Sequence, residues 1–275
     1  MTKILAISGG LDSMVLLHRF RADPEIIIAH FNHGTRASVT DDEEFVRQVA
    51  TTLDRPFFSA RADLGENISE SVARAARYQF LFSLSRRFGN APIYTAHHAN
   101  DLLESIAINL VRGTGWRGLA PLGSPHVERP LLSYSQTELY RYAAKHQIIF
   151  RQDPTNFEPN YLRNRLRPRI SALPASTKAT LLELSSRQRK IKSEIDQILL
   201  QLLPADKVYN RRQISALPDS VALEFLRAAL LRSQVSLTRP QLLDFLHAIR
   251  TYAPGKNFNL PGGQLVKLHK NYFKL

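Results

Sequence analysis

The sequence predicts an α/β fold: a parallel, doubly wound sheet followed by a smaller, mostly helical C-terminal domain that ends in a β-hairpin. Three observations carry this. Four short apolar runs alternate with longer helical patterns over the first hundred residues, as βα repeats do. The first run breaks into Ser8-Gly9-Gly10-Leu11-Asp12-Ser13, a polar glycine-bearing corner between a strand and a helix. After Pro218 the texture changes to two amphipathic helical patterns and a strand–Pro-Gly-Gly–strand pattern.

Residues 4–7 are apolar and read as a buried strand; 14–20 read as a helix packed on the sheet. Between them, two adjacent glycines let the backbone turn tightly and approach a ligand closely. The helix start presents unpaired N–H groups and the positive end of its dipole, an anion site by construction. Ser8 and Ser13 add hydroxyls, and Asp12 fits beside a phosphate only with a metal cation or a protonated amine between them. No Gly-Lys-Ser/Thr follows, so this is not a Walker loop. An ordinary capped strand–helix turn is the bland alternative, and it leaves the coincidence of both glycines, both serines and the aspartate unexplained.

Residues 25–31 give a second strand, from which His33 and Arg36 leave on the edge that carries the phosphate loop. A helix over 40–53 opens with four acids, as the dipole prefers. Residues 56–60 are a third strand. A helix over 67–88 carries Arg74 and Arg77 three apart on one face. The fourth strand, 92–96, runs into His97-His98-Ala99-Asn100-Asp101-Leu102-Leu103-Glu104. With a helix starting near His98, Asp101 and Glu104 share a face in its first turns. Two carboxylates there suit a divalent cation, an ammonium group, or a base that deprotonates an amine; dipole-compensating acids are the simpler reading, but they leave the His pair unexplained. Arg112-Gly113-Thr114-Gly115-Trp116-Arg117-Gly118 offers a second anion-contacting loop. A helix over 136–145, a short strand over 148–150 and a turn at 153–156 follow.

Arg163, Asn164, Arg165, Arg167 and Arg169 open the most basic stretch, and Pro168 disfavours helical geometry at Arg167. From 160 to 212 there are 12 Lys and Arg against 4 Asp and Glu, which accounts for most of the net charge of +13. Interleaved Tyr161 and Asn164, without a continuous apolar face, suit phosphate rather than membrane contact. Residues 176–203 form one long helix, 219–232 and 239–252 two shorter ones, and 256–260 with 264–272 the hairpin. The expected organisation is a catalytic domain at 1–172, a basic helical linker at 173–215 and a small C-terminal domain at 216–275.

At 44% hydrophobic residues the chain of 275 buries a substantial core. The absence of cysteine excludes disulfides, zinc–cysteine sites, iron–sulfur clusters and thiolate or persulfide catalysis. No apolar run reaches membrane-spanning length, and the first strand starts too near Met1 for a signal peptide; a cytoplasmic location is expected.

The loop at 8–13 resembles the Ser-Gly-Gly-x-Asp-Ser phosphate loop of the N-type ATP pyrophosphatases. Together with His30-Phe31-Asn32-His33-Gly34-Thr35-Arg36, Ala73-Arg74-Ala75-Ala76-Arg77-Tyr78, the segment 95–104, the loop 112–118, Arg129-Pro130-Leu131-Leu132 and Arg163-Asn164-Arg165-Leu166-Arg167, it resembles the tRNA(Ile)-lysidine synthetase family over about the first 170 residues. The resemblance implies a reaction: ATP adenylates the 2-oxo group of the wobble cytidine of a minor isoleucine tRNA, free lysine attacks the ring carbon, and AMP leaves. It implies that Ser8, Gly9, Gly10, Leu11, Asp12 and Ser13 hold ATP, with Mg2+ at Asp12 and Asp101. By the same resemblance, Arg77 and His97 would face the reacting phosphate and base, and Asp101 and Glu104 would bind lysine or metal. The resemblance also implies that His33, Arg36, Arg74, Arg112, Gly113, Thr114, Gly115, Arg163, Asn164 and Arg165 contact substrates. The implied partners are tRNA(Ile) with a CAU anticodon and free L-lysine, no membrane, and a homodimer left open. Alternatives are another base-adenylating enzyme of the same superfamily and a non-catalytic tRNA-binding protein on this fold. The thiolating members depend on cysteines, which are absent here, and the glutamine-fed members act on small molecules that leave the basic segment without a purpose.

Overall fold

In the computed structural model, residues 1–32, 39–62, 70–124, 126–151 and 162–275 are described, apart from the side chains of 39, 40, 70, 71, 163 and 164. The predicted His33 and Arg36, and the turn at 153–156, lie outside them. The chain divides into two compact units, Met1–Ser186 and Arg187–Leu275.

The first unit is built on a five-stranded, wholly parallel sheet of order β3-β2-β1-β4-β5. Its strands are β1 (Lys3–Ala6), β2 (Ile26–Asn32), β3 (Phe57–Arg61), β4 (Ile93–Tyr94) and β5 (Val127–Glu128). Strand side chains alternate between faces, and both faces are covered. Leu5, Ile26 and Ile28 pack against α1 (Leu11–Phe20), α2 (Val39–Thr52) and α5 (Gln136–Lys145). Ile4, Ile27, Ala29 and Ile93 pack on the opposite face against Leu81 and Leu84 of α3 (Glu70–Arg87). This is the doubly wound sheet the apolar runs predict.

The chain moves from β1 outward to β2 and β3, then crosses back past β1 to β4. The order therefore reverses between β1 and β4, and the crevice beyond their carboxyl ends is where such sheets bind ligands. The 8–13 loop leaves one side of that crevice. On the other side, His97 and His98 lead into α4 (Ala99–Val111).

Two expectations fail. Residues 148–150 form no strand. The chain there is anchored by Ile148 N–H to the Ala143 carbonyl, and only Arg151 makes a single parallel bridge, to Gly10. The apolar run exists because Ile148 and Phe150 pack beside α1 and α5, not because it joins the sheet. Nor does Pro168 keep Arg167 out of a helix: α6 (Leu162–Ser171) runs through both, and Ala172 N–H closes on the Pro168 carbonyl. Proline removes one donor and disfavours, without forbidding, helix at the preceding residue.

The division between units falls within α7 (Ala175–Leu202). The second unit also has β6 (Val208–Asn210), α8 (Arg211–Ala216), α9 (Asp219–Arg232), α10 (Arg239–Thr251), β7 (Asn257–Asn259), β8 (Leu265–Lys267) and β9 (Tyr272–Lys274). β7 and β8 form the expected antiparallel hairpin, and β9 pairs back antiparallel with β6. Tyr209, Phe245 and Phe273 centre its core. Arg211, counted by charge among residues available to a polyanion, is buried here. Its guanidinium donates to the carbonyls of Ile249, His269 and Tyr252 and ties α10 to the strands. No helix among the described residues is long and apolar enough to cross a membrane.

Candidate active site at the sheet switch point

Ser13 is the knot of the 8–13 loop. Its hydroxyl accepts from Ser8 N–H (3.2 Å) and Gly9 N–H (3.1 Å) and donates to the Gly10 carbonyl (2.8 Å). Gly9 sits at φ +92°, in the left-handed region, and a β-carbon there would lie 3.4 Å from Phe45 and 3.5 Å from Val46 of α2. Replacing Gly9 by Ala is expected to cost about 1–2 kcal/mol of unfolding free energy in urea titrations, with a larger effect on ATP affinity because the loop must shift. Gly10 is the N-cap of α1 and supplies no side-chain cap, so the first-turn N–H groups of α1 are left to an external acceptor. Arg151 clasps the loop from outside: its N–H donates to the Gly9 carbonyl (3.0 Å) and its guanidinium lies 3.4 Å from Asp42.

Across the crevice, His98 caps α4. Its Nδ1 accepts from Asn100 N–H (3.2 Å), while Asp101 Oδ2 accepts from His98 N–H (2.9 Å), a capping box that fixes both side chains. His98 Nε2 then stands 3.6 Å from a carboxylate oxygen of Asp12 and 3.6 Å from one of Asp101. The buried imidazole thus joins the phosphate loop to α4. Burial raises the Asp12 carboxyl above its ordinary pKa; Asp101 adds to this, and His98 and Arg167 oppose it. Asp12 Oδ1 is buried with no hydrogen-bond partner among the described residues.

Glu104 is only 2% exposed, and its Oε1 accepts from Arg167 Nε at 2.8 Å. The hydrogen bond to Glu104 raises the Arg167 pKa, with further help from the charges of Glu104, Asp101 and Asp12. Arg167 therefore stands over an acidic pole of three carboxylates. The sequence left this residue without a role.

A basic pole lies beside it. His97 Nδ1 is 2.8 Å from the Thr95 hydroxyl. Burial, with Arg77, Arg129 and Arg74 adding and Asp101 opposing, pushes its pKa down to about 3. His97 is thus neutral at physiological pH and acts as a hydrogen-bonding group, not a cation. Folded His97 takes a proton near pH 3, the unfolded chain near the ordinary 6.5. Between these values the unfolded state holds more protons, so His97 removes stability as pH falls from 6.5 toward 3. His97→Gln is expected to shrink the fall in urea midpoint between about pH 7 and pH 5, as measured by circular dichroism. Burial also lowers the Arg77 pKa. Arg74 lies over the Tyr78 ring, 4.9 Å from its centroid.

The structure thus brings together 8–13, Arg74, Arg77, His97, Asp101 and Glu104. It does not bring in Arg112, Gly113, Thr114 and Gly115. They follow the far end of α4, whose 13 residues separate them from His98 by about 20 Å. That loop is shaped by Gly113 (φ +66°), Gly115 (φ +68°) and the Asn109 side chain, which donates to the Gly118 carbonyl at 3.0 Å. Arg165 is exposed on α6; the side chains of Arg163 and Asn164 lie outside the described residues. Among the described residues no group of three or more His, Cys, Asp or Glu could hold a metal unaided.

Comparison with known proteins gives a consistent picture. The PP-loop domain signature matches residues 2–173. The tRNA(Ile)-lysidine synthase of Thermotoga maritima is 36% identical over 184 residues, 62% of this chain and 44% of that protein. Its counterpart in Chlorobaculum tepidum is 33% identical over 221 residues, 74% of this chain and 67% of that protein. That of Thermus thermophilus is 32% identical over 281 residues, 96% of this chain and 54% of that protein. The chain thus spans about half to two thirds of the length of these relatives. Among solved structures, the U34-tRNA thiolase NcsA from Methanococcus maripaludis superposes with a TM-score of 0.59 at 18% identity, over 69% of this chain and 73% of that one, a likeness of fold.

Proposed function

The chain belongs to the tRNA(Ile)-lysidine synthase family of PP-loop proteins, and from that premise we propose that it ligates free L-lysine to the wobble cytidine of tRNA(Ile) with a CAU anticodon, converting ATP to AMP and pyrophosphate. The observation that carries this reading is the meeting of two opposite poles at one crevice: Asp12, Asp101 and Glu104 on one side, Arg74, Arg77 and Arg129 on the other, with His97 and His98 between. A reaction that joins a cationic amine to a base activated by an anionic nucleotide needs both.

The open N–H groups of α1 hold the ATP phosphates, with the loop conformation fixed by Ser13. Arg77 and the neutral His97 face the charge that grows on the α-phosphate and the base oxygen as adenylyl transfer proceeds. A non-titrating donor or acceptor at His97 keeps that contact constant across physiological pH. Glu104 and Asp101 take the lysine ammonium, and one of them accepts its proton before the free amine attacks. For this, the Arg167 guanidinium has to move off Glu104. Holding the three substrates in one crevice supplies much of the rate.

Mg2+ fits at Asp12, whose buried Oδ1 has no protein partner among the described residues, with Asp101 as a second carboxylate. Two carboxylates completed by phosphates and water is a usual magnesium shell, and the ion would neutralise phosphate charge. Residues 1–172 act as the catalytic domain, the helical stretch from 173 through α7 as a basic connection, and 216–275, whose core takes in β6 and α8, in tRNA positioning.

The test incubates the protein with ATP, radiolabelled lysine and total bacterial tRNA, followed by nuclease digestion. Label in a single cytidine-derived nucleoside of one isoleucine tRNA is expected; label absent, or spread over many tRNAs, contradicts the proposal.

A further inference from the structure

Arg129 follows β5 directly, at the carboxyl edge of the sheet next to β4. Its Nη1 donates to the Val127 carbonyl at 3.0 Å, and its guanidinium lies close enough to the Tyr78 side chain for Tyr78 to act on its charge. The Tyr78 hydroxyl accepts from Arg74 at 3.5 Å, and the Arg77 guanidinium carbon lies 5.7 Å from the Tyr78 ring centroid. Tyr78 is thus a post around which three guanidinium groups gather. Arg129 Nε and Nη2 and Arg77 Nε are buried with no hydrogen-bond partner among the described residues. Asp101 is the carboxylate whose charge acts on Arg77, and Glu128 the one that acts on Arg129. Burial lowers the pKa of both arginines, so the cluster is held at a cost. Gathered like charges with unmet donors are stabilised most simply by an anion that the folded chain does not itself contain.

We propose that Arg129 is a further substrate-binding residue of the site, closing with Arg77 and Arg74 a cationic cage built on Tyr78 that takes a phosphate ester. Arg129 as a whole is partly exposed, so a change of rotamer brings its donor fork to the crevice. The fork geometry of a guanidinium matches two phosphate oxygens, which an ammonium cannot do. This rests on the reading above, where two substrates carry such a group: the ATP phosphates and the phosphodiesters of tRNA.

The experiment compares the full-length wild-type chain with Arg129→Met and Arg129→Lys, measuring ATP binding by equilibrium dialysis without tRNA, and tRNA binding by filter retention without ATP over a salt series. If the phosphate is that of ATP, Arg129→Met weakens ATP binding about tenfold or more and leaves tRNA binding unchanged. If it belongs to tRNA, the loss appears there, and the slope of log K against log salt falls by about one. Arg129→Lys recovers part of the loss in either case. Unchanged binding of both ligands by Arg129→Met overturns the inference alone. Loss of cooperative unfolding in Arg129→Lys also overturns it, by placing the residue in the fold and not in the site. A wild-type chain that binds neither ATP nor tRNA overturns the functional reading, and the inference with it.

Discussion

Asp12→Ala is expected to lower tRNA-dependent ATP–pyrophosphate exchange by roughly 10²–10³-fold or more. Asp12 stands in the first turn of α1, where the dipole draws a phosphate, and a carboxylate is the wrong charge for that place unless a cation accompanies the nucleotide. Its buried Oδ1 with no partner and its raised pKa express the same mismatch. Removing it relieves the mismatch, so the variant should fold at least as well as the wild type by urea titration while losing exchange. tRNA affinity should be unchanged, since Asp12 faces His98 and Asp101. Exchange at the wild-type rate would remove the loop carboxylate from the chemistry and reduce 8–13 to a structural corner.

Glu104→Gln should have the complementary effect: exchange persists, and lysine incorporation falls by roughly 10²–10³-fold. Adenylation needs no lysine, so the two steps separate. The amide keeps the volume and can still accept from Arg167 Nε, which limits the structural cost of the change. It can neither pair with an ammonium nor take its proton. Incorporation at the wild-type rate would move lysine recognition to another carboxylate.

The sheet was legible because β1 and β2 are apolar runs bounded by polar turns and lie between helices on both faces, while β3, at the edge, is only half-buried and shorter in apolar signal. The start of α4 was legible for another reason: a His-His pair at a strand end followed by acids three apart is a local pattern with local consequences. What the sequence could not show is convergence. Arg129 follows a strand of two residues, too short for any periodicity, and it meets Arg74 and Arg77 only because the β3–α3–β4 crossover brings α3 beside β4 and β5. Arg167 escaped because the proline rule is a local bias, and α6 overrides it. Residues 148–150 misled because partial packing of Ile148 and Phe150 against helices, with Ile149 exposed between them, leaves the same apolar run as a strand in a sheet. The Arg112–Gly115 loop has the chemistry of a second anion-contacting loop, but the thirteen residues of α4 hold it apart from the crevice.

The most direct measurement of the central claim is product accounting in a single reaction with ATP labelled in the α-phosphate, tRNA(Ile) and lysine. A site that passes adenylyl to a base and then accepts an amine yields one AMP and one pyrophosphate for each lysine fixed in tRNA, and no AMP when tRNA is left out. ADP as the labelled product, or AMP formed at the full rate without tRNA, would contradict it.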